Sequence, residues 1–199
     1  TLFRSRDRCN LFCIAKPDGE LRQIIDRRPR NSRELGPPSD GVKMGHPSSF
    51  LPIIIPKDCN LLGSVDDLRN YYHEFEVSFN RAVSTPVGPQ WNASDWEGSH
   101  ALEELRSRHP PASIRSDTKV FMCFQGLSMG DHWAPLIAQE AHENLLKSFD
   151  ALRPDEHLKF GEILPRGNLG HFSGVCIDDK VNLQLVRKSC PNEPLRDSE

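Results

Sequence analysis

The sequence has no long hydrophobic run, and this absence excludes a membrane-spanning helix. The longest apolar stretch, residues 50–55, is interrupted by Pro52 and followed by Pro56, whereas a helix needs about 20 apolar residues to cross a bilayer. The chain opens on Thr1 and a charged stretch, without an apolar leader. We therefore expect a soluble, intracellular chain with no membrane partner, and we interpret it as a fragment of a longer protein.

Metal and disulfide motifs built on cysteine and histidine are also missing. None of the six cysteines forms a C-x-x-C pair, and none of the eight histidines lies four residues from another. These absences argue against a zinc site and against a disulfide framework. We expect free thiols in a reducing compartment.

The net charge is small over the whole chain but not at its start. The net charge is −3 over 199 residues, which argues against a protein that coats nucleic acid electrostatically. Residues 1–33 nevertheless contain nine Lys or Arg and four Asp or Glu, a local net charge of +5. This part of the chain is therefore predicted to meet phosphate groups.

Local patterns in the N-terminal third predict a hairpin, a loop and a strand. Short apolar strands are expected at 11–15 and 21–26, because the residues between them, KPDGE, have the composition of a tight turn. Residues 33–49, rich in proline and glycine, are expected to form a loop. From residue 61 a strand is expected to run into a short helix, with Asp67 at the junction.

The remaining patterns complete an α+β class. The expected elements are an insertion at 84–116, a buried strand at 119–124, a helix at 133–152, and strands at 172–177 and 181–186. The helix is expected to bury one apolar stripe, formed by Ile137, Ala141, Leu145 and Phe149. The last two strands are joined by Asp178-Asp179-Lys180, which places two carboxylates at the tip of a second hairpin. We interpret Tyr71 and Phe75 as core residues.

Acidic and basic side chains at the ends of these elements suggest phosphate chemistry. Asp67 ends one strand, and Asp178 and Asp179 lie between two others. Carboxylates that converge from different strands suit Mg²⁺, a hard cation that prefers oxygen ligands and substrate phosphates. Lys16 and Arg22 of the first hairpin could then neutralise a triphosphate.

Four motifs, in order, resemble the reverse transcriptases of retroelements. Residues 16–31 read KPDGELRQIIDRRPRN and match every fixed position of the family's fingers pattern K-x-D-G-x-x-R-x-x-x-D-x-R-x-x-N. Residues 67–73 read DLRNYYH, close to D-L-R-x-A-Y-H of the first palm motif, with Tyr71 where alanine is common. Residues 129–135 read MGDHWAP and resemble the second palm motif; a rival register places Gln125-Gly126 there. Residues 176–179 read CIDD, where the family has Y-x-D-D.

The resemblance implies a fold, a reaction and a set of roles. The implied fold is a fingers hairpin (1–60) followed by a palm (61–190), in which an antiparallel sheet packs on helices, without a thumb. The implied reaction is RNA-directed DNA synthesis from a dNTP on a DNA primer and an RNA template. The implied catalytic residues and ligands of Mg²⁺ or Mn²⁺ are Asp67, Asp178 and Asp179. The implied substrate-binding residues are Lys16 and Arg22 for the triphosphate, Tyr72 for the sugar, and Gly130 for close approach of the backbone.

Two departures from the family pattern keep alternatives open. Cys176 replaces the usual tyrosine of the fourth motif, and 20 residues follow Asp179, so the primer grip and the thumb are not among them. The alternative to an active enzyme is a catalytically inactive reverse-transcriptase-like remnant that acts as a binding module. An RNA-directed RNA polymerase would share the acids but fits Tyr72 and the fingers motif less well.

Overall fold

The computed structural model describes residues 8–17, 19–38, 43–166 and 170–190. Arg4 and Arg6 of the basic N-terminal stretch, Asp18 of the predicted turn and part of the predicted 33–49 loop lie outside these residues. Helix accounts for 25% and strand for 30% of the described residues, which confirms the α+β class. None of the helices in the described part of the chain has the length and apolar character needed to cross a membrane.

The described elements are named here in chain order. The strands are β1 (Asn10–Ala15), β2 (Leu21–Asp26), β3 (Cys59–Asp67), β4 (Pro86–Asn92), β5 (Lys119–Cys123), β6 (His157–Leu158), β7 (His171–Cys176) and β8 (Asp179–Arg187). The α-helices are α1 (Arg28–Asn31), α2 (Phe79–Ala82), α3 (His100–Ser107) and α4 (Ala134–Ser148). Short 3-10 helices span Pro47–Phe50, Tyr71–Glu74 and Ala93–Trp96.

The chain divides into two compact units. The first contains the described residues of Thr1–Gly36 and Tyr72–Ala134, and the second those of Pro37–Tyr71 and Pro135–Glu199. Each unit is discontinuous in sequence. The division into fingers at 1–60 and palm at 61–190 stays a prediction.

In the first unit, β1 and β2 form the predicted hairpin. The strands are antiparallel, and the register runs from Asn10 opposite Asp26 to Ala15 opposite Leu21. The backbone N–H of Lys16 donates to the carbonyl of Glu20 at 2.8 Å, and Gly19 has φ +85°. Glycine accepts this left-handed backbone without steric cost, which explains its place in the turn.

The predicted insertion at 84–116 is part of the first unit. Its strand β4 pairs with β5, which follows the insertion in sequence. Four fully buried side chains form the core of this region, namely Ala93, Leu102, Leu105 and Val120. The segment therefore shares a sheet and a core with β5.

A glycine in the first unit marks a close backbone approach. A Cβ atom on Gly130 would overlap the carbonyl oxygen of Ile25 in β2. The carbonyl of Gly130 also accepts a hydrogen bond from Nδ2 of Asn31 at 2.8 Å. Glycine is thus required here by contact between two backbone segments of the chain itself.

Substitution of this glycine is expected to destabilise the chain. We expect Gly130→Ala to lower the free energy of unfolding by about 1–3 kcal/mol, because the backbone must shift to relieve the overlap. The measurement is urea unfolding followed by circular dichroism. Gly36→Ala is the matched control, since a Cβ at Gly36 meets no atom within 4 Å. Equal stability of the two variants would contradict the packing described here.

In the second unit, four strands form one sheet in the order β3-β8-β7-β6. The strand β8 lies antiparallel to both β3 and β7, whereas β6 is parallel to β7. The predicted strands at 172–177 and 181–186 are confirmed as β7 and β8, within a few residues. The helix expected after Asp67 is shorter than predicted, because only a 3-10 turn forms at Tyr71–Glu74. Asn70, immediately before this turn, has φ +56°.

The orientation predicted for α4 is wrong. Ile137, Leu145 and Phe149, expected in the core, are 38%, 50% and 77% exposed. The buried side chains of this helix are Ala134, Ala138, Gln139, His142 and Glu143. The polar members of this face hydrogen-bond to the backbone of β7 and its turn or to one another. Satisfied hydrogen bonds thus allow a polar face to be buried while the apolar stripe is left at the surface.

Candidate active site

Three carboxylates of the second unit converge at one end of the sheet. Asp67, the last residue of β3, lies directly opposite Asp179, the first residue of β8. Asp178 precedes Asp179 in the turn, and its carbonyl accepts a hydrogen bond from the backbone N–H of Leu68 at 3.0 Å. Residues directly opposite each other in an antiparallel pair share a face of the sheet. The sheet therefore places the three acids that the sequence singled out at one of its ends, although among the described residues their carboxylate oxygens do not form a group within 4.8 Å of one another.

The turn that presents Asp178 has an unusual backbone. Cys176 lies opposite Asp179, so Ile177 and Asp178 form a two-residue connection between β7 and β8. Ile177 adopts φ +60°, a left-handed conformation that is rare for a β-branched residue and costs of order 1–3 kcal/mol. Such a conformation persists only where neighbouring groups hold it.

Two buried side chains of α4 hold this turn. The Oε1 atom of Gln139 accepts a hydrogen bond from the backbone N–H of Ile177 at 2.7 Å. The Nδ1 atom of His142 lies 2.8 Å from the carbonyl oxygen of Ile177. Both polar groups of the Ile177 backbone are therefore bonded to the same helix.

The pKa of Asp179 reflects its burial and its two acidic neighbours. Burial raises the pKa of Asp179, and the negative charges of Asp178 and Asp67 raise it further. The nearby His142 acts in the opposite direction but does not cancel the shift. A cation among these carboxylates would offset the repulsion, so the donor set suits a hard divalent ion.

Asp66 does not belong to this group. Successive side chains of a strand point to opposite faces, so Asp66 and its neighbour Asp67 lie on different faces of β3. Oδ2 of Asp66 accepts a hydrogen bond from Nδ2 of Asn182 at 3.4 Å. Asp66 is therefore an adjacent carboxylate with different partners, and it offers a matched control for substitutions of Asp67.

Cys176 lies beside the acids, at the position where the motif that this segment resembles has tyrosine. It is exposed and lies opposite Asp179 across the β7–β8 pair. Partial burial and the charges of Asp179 and Asp178 raise the pKa of its thiol. The raised pKa keeps this thiol neutral near pH 7.

The predicted substrate-binding residues lie in the first unit. Lys16 pairs with Glu20 at 3.1 Å, and Arg22 is exposed on β2. Arg22 lies opposite Ile14, two residues before Lys16, so both cations share one face of the hairpin. Tyr72 is half-buried, and the close contact that Gly130 permits is made by Ile25. Their roles toward a nucleotide stay predictions.

A second polar cluster in the first unit resembles a metal site in composition only. Among the described residues, Glu34, Asp131 and His132 are the group whose possible ligand atoms all lie within 4.8 Å of one another. Both carboxylates are already paired with arginines. Arg27 contacts Asp131 at 2.7 Å and Glu34 at 3.1 Å, and Arg81 contacts both acids.

The arginines determine the character of this cluster. Burial opposes ionisation of Glu34, but the hydrogen bond from Arg30 and the charges of Arg27 and Arg81 outweigh it and lower the pKa of Glu34. Guanidinium groups thus supply the positive charge that a metal ion would bring. We interpret this cluster as a structural ion-pair network. Sequence reasoning did not identify it, because its members are far apart in the chain.

Comparisons with known proteins show similarity at the level of fold. No family model matches this chain, and no curated protein matches it in sequence. Among solved structures, a foamy viral protease-reverse transcriptase in complex with double-stranded DNA superposes with a TM-score of 0.51 over 91% of this chain, at 16% identity. The native protease-reverse transcriptase of prototype foamy virus gives a TM-score of 0.48 at 18% identity.

The similarity covers a small part of those proteins. This chain spans 22% of the first foamy virus protein and 17% of the second. At such identity the likeness concerns the fold and not the activity. The chain therefore has an α+β fold similar to part of a foamy virus protease-reverse transcriptase.

Proposed function

We propose that this chain is part of an RNA-directed DNA polymerase of retroelement type. The observation that carries the proposal is the convergence of Asp67, Asp178 and Asp179 at the β3–β8–β7 end of the second unit. The fold similarity to a reverse transcriptase agrees with it. The fingers assigned to 1–60, the palm assigned to 61–190, an RNA template, a DNA primer and a dNTP substrate all belong to the proposal.

The three acids fit a divalent cation. Burial, and then the charges of Asp178 and Asp67, raise the pKa of Asp179; Mg²⁺ or Mn²⁺ among the three acids would offset the repulsion. A bound ion of this kind supplies charge stabilisation at the attacking and leaving oxygens of phosphoryl transfer. Asp67, Asp178 and Asp179 would hold it, and the α4 contacts to Ile177 would orient the two acids that follow in sequence.

The hairpin cations are assigned to the triphosphate. Lys16 and Arg22 share one face of the β1–β2 hairpin, and phosphates are the groups that paired Lys and Arg side chains bind. Tyr72 is assigned to the sugar, which it would accept as deoxyribose and reject as ribose. Gly130 is assigned the role of allowing the backbone to come close to the nucleotide.

Removal of a hairpin cation is expected to weaken dNTP binding. We expect Lys16→Ala or Arg22→Ala to raise the Kd for a dNTP roughly tenfold, because each variant loses one charge-assisted contact to phosphate. The loss should be similar for all four bases. Isothermal titration calorimetry of dNTP and of the unphosphorylated nucleoside measures it, with Lys43→Ala, a lysine paired with Glu162, as the charge-matched control. Equal losses for nucleotide and nucleoside would contradict the assignment.

A second candidate function rests on Cys176. The aromatic ring that the family uses in this motif is absent, which favours an inactive remnant that binds nucleic acid without extending it. The two candidates differ in whether tyrosine at this position increases nucleotide incorporation.

Single-nucleotide extension of a labelled DNA primer on an RNA template tests the proposed function. We expect the 199-residue chain to add one nucleotide in Mg²⁺ or Mn²⁺, and we expect Cys176→Tyr to increase the yield. If neither protein incorporates a nucleotide while folding and metal binding are intact, the proposed polymerase activity is overturned and the inactive binding module is supported.

A further inference from the structure

We propose that Gln139 and His142 of α4 are positioning residues that fix the metal-binding geometry of Asp67, Asp178 and Asp179. The inference rests on the proposed function, because it assigns a role toward the same three acids. It concerns residues outside the four sequence motifs and outside the apolar stripe that was predicted to be buried.

The first observation is that α4 bonds both polar groups of Ile177. Gln139 accepts from the Ile177 N–H, and its Nε2 atom donates to the carbonyl of Val175 at 3.0 Å. His142 bonds the Ile177 carbonyl through Nδ1 at 2.8 Å. Because a carbonyl oxygen only accepts, Nδ1 of His142 carries the proton. The partners therefore fix both the amide orientation of Gln139 and the tautomer of His142.

These bonds act on the residue that determines the direction of the acids. Ile177 holds φ +60°, and the next two residues are Asp178 and Asp179. If its N–H and carbonyl were released, the peptide groups on both sides could rotate toward more common conformations, and both carboxylates would turn with them. The hydrogen bonds from α4 thus couple a strained turn to a rigid helix.

The second observation connects α4 to the segment that follows Asp67. The hydroxyl of Tyr71, four residues after Asp67, donates to the carbonyl of Ala138 at 3.0 Å. The rings of Tyr71 and His142 lie 5.6 Å apart between centroids. The tyrosine that replaces the family's alanine is therefore buried against α4, as expected for a core residue.

Together, one turn and a half of α4 contacts both acid-bearing segments. Residues 138–142 bond Tyr71 on the β3 side and Ile177 on the β7–β8 side. Gln139 and His142 are 0% and 3% exposed, so these contacts are protected from competition with water. Partners that orient metal ligands from behind typically change metal affinity 10- to 100-fold when they are removed.

Two measurements on the same set of variants test this inference. The first is hydrogen exchange of the Ile177 amide, which reports the α4 contact without any metal. The second is the Kd for Mn²⁺, followed by electron paramagnetic resonance. The variants are Gln139→Met, His142→Leu, His142→Asn and Tyr71→Phe, with Glu140→Met as a control at an exposed position of the same helix.

The expected results separate positioning from mere stability. Gln139→Met and His142→Leu should raise the Kd for Mn²⁺ 10- to 100-fold, and Gln139→Met should speed exchange of the Ile177 amide at least tenfold. His142→Asn retains a donor near Nδ1 and should stay within threefold of the wild type, as should Glu140→Met. Tyr71→Phe, which removes a single hydroxyl, should fold and raise the Kd severalfold.

The outcomes also distinguish this inference from the proposed function. If the wild type binds no Mn²⁺ but Ile177 exchange responds to Gln139→Met, the contact is real and the polymerase proposal fails. If the folded variants bind Mn²⁺ as the wild type does, the positioning role is overturned, whatever happens to exchange. If Gln139→Met and His142→Leu do not fold, the Kd for Mn²⁺ is compared between Tyr71→Phe and His142→Asn. A severalfold higher Kd for Tyr71→Phe supports the role of α4, and equal Kd values overturn it.

Discussion

Asp178→Asn is expected to reduce primer extension on the order of 10³-fold. Asparagine keeps the shape of the side chain and one oxygen, but it removes the negative charge that would hold a divalent cation. A loss of several kcal/mol in stabilisation of a metal-dependent step corresponds to a rate change of this size. The single-nucleotide extension assay measures the change, with the rate compared at saturating dNTP.

The neighbouring carboxylates supply the controls for this prediction. Asp67→Asn should cause a comparable loss, because Asp67 lies opposite Asp179 in the same group. Asp66→Asn should leave extension within about threefold, since Asp66 bonds Asn182 on the other face of the sheet. Equal effects of Asp66→Asn and Asp67→Asn would show that general charge, and not the three-acid group, supports activity.

The largest effect on stability is expected from Asp131→Asn. Asp131 is 4% exposed and lies between Arg27, which is 0% exposed, and Arg81. Removing one partner of a buried ion pair leaves an uncompensated charge, which typically costs about 3–5 kcal/mol. Glu34 remains as a partner of both arginines, so we expect a loss near the lower end of this range.

Urea unfolding of Asp131→Asn and Asp117→Asn compares a buried with an exposed acid. Asp117 is exposed, so its substitution should change the free energy of unfolding by about 0.5 kcal/mol or less. Addition of Mg²⁺ should change the free energy of unfolding of the wild type and of Asp131→Asn by the same amount, because arginines already occupy the positions around Glu34 and Asp131. A loss below about 1 kcal/mol for Asp131→Asn would contradict the ion-pair network.

The sequence predicted well those features that depend on neighbouring residues. The β1–β2 hairpin follows from a turn whose glycine has a positive φ. The placement of Asp67 at a strand end follows from a short apolar strand that stops at a pair of acids. The β7–β8 hairpin likewise follows from two apolar strands around Asp178. In each case the signal lies within about ten residues of the feature.

Features that depend on distant partners could not be read from the sequence. The buried face of α4 carries Gln139 and His142, whose burial is compensated by the backbone of Ile177, 35 or more residues away. Gly130 is required by the carbonyl of Ile25, and Asp131 by Arg27 and Arg81. A scale of hydrophobicity assigns such polar residues to the surface, because it contains no information about which partners satisfy them.

The most direct test of the central claim is Mn²⁺ binding to the 199-residue chain, measured by electron paramagnetic resonance for the wild type and for single variants. The account predicts saturable binding that is lost in Asp67→Asn and Asp178→Asn, weakened in Asp179→Asn, and retained in Asp66→Asn and Asp131→Asn as long as these proteins are folded. Identical binding curves for the wild type and the Asp67→Asn, Asp178→Asn double variant would contradict it.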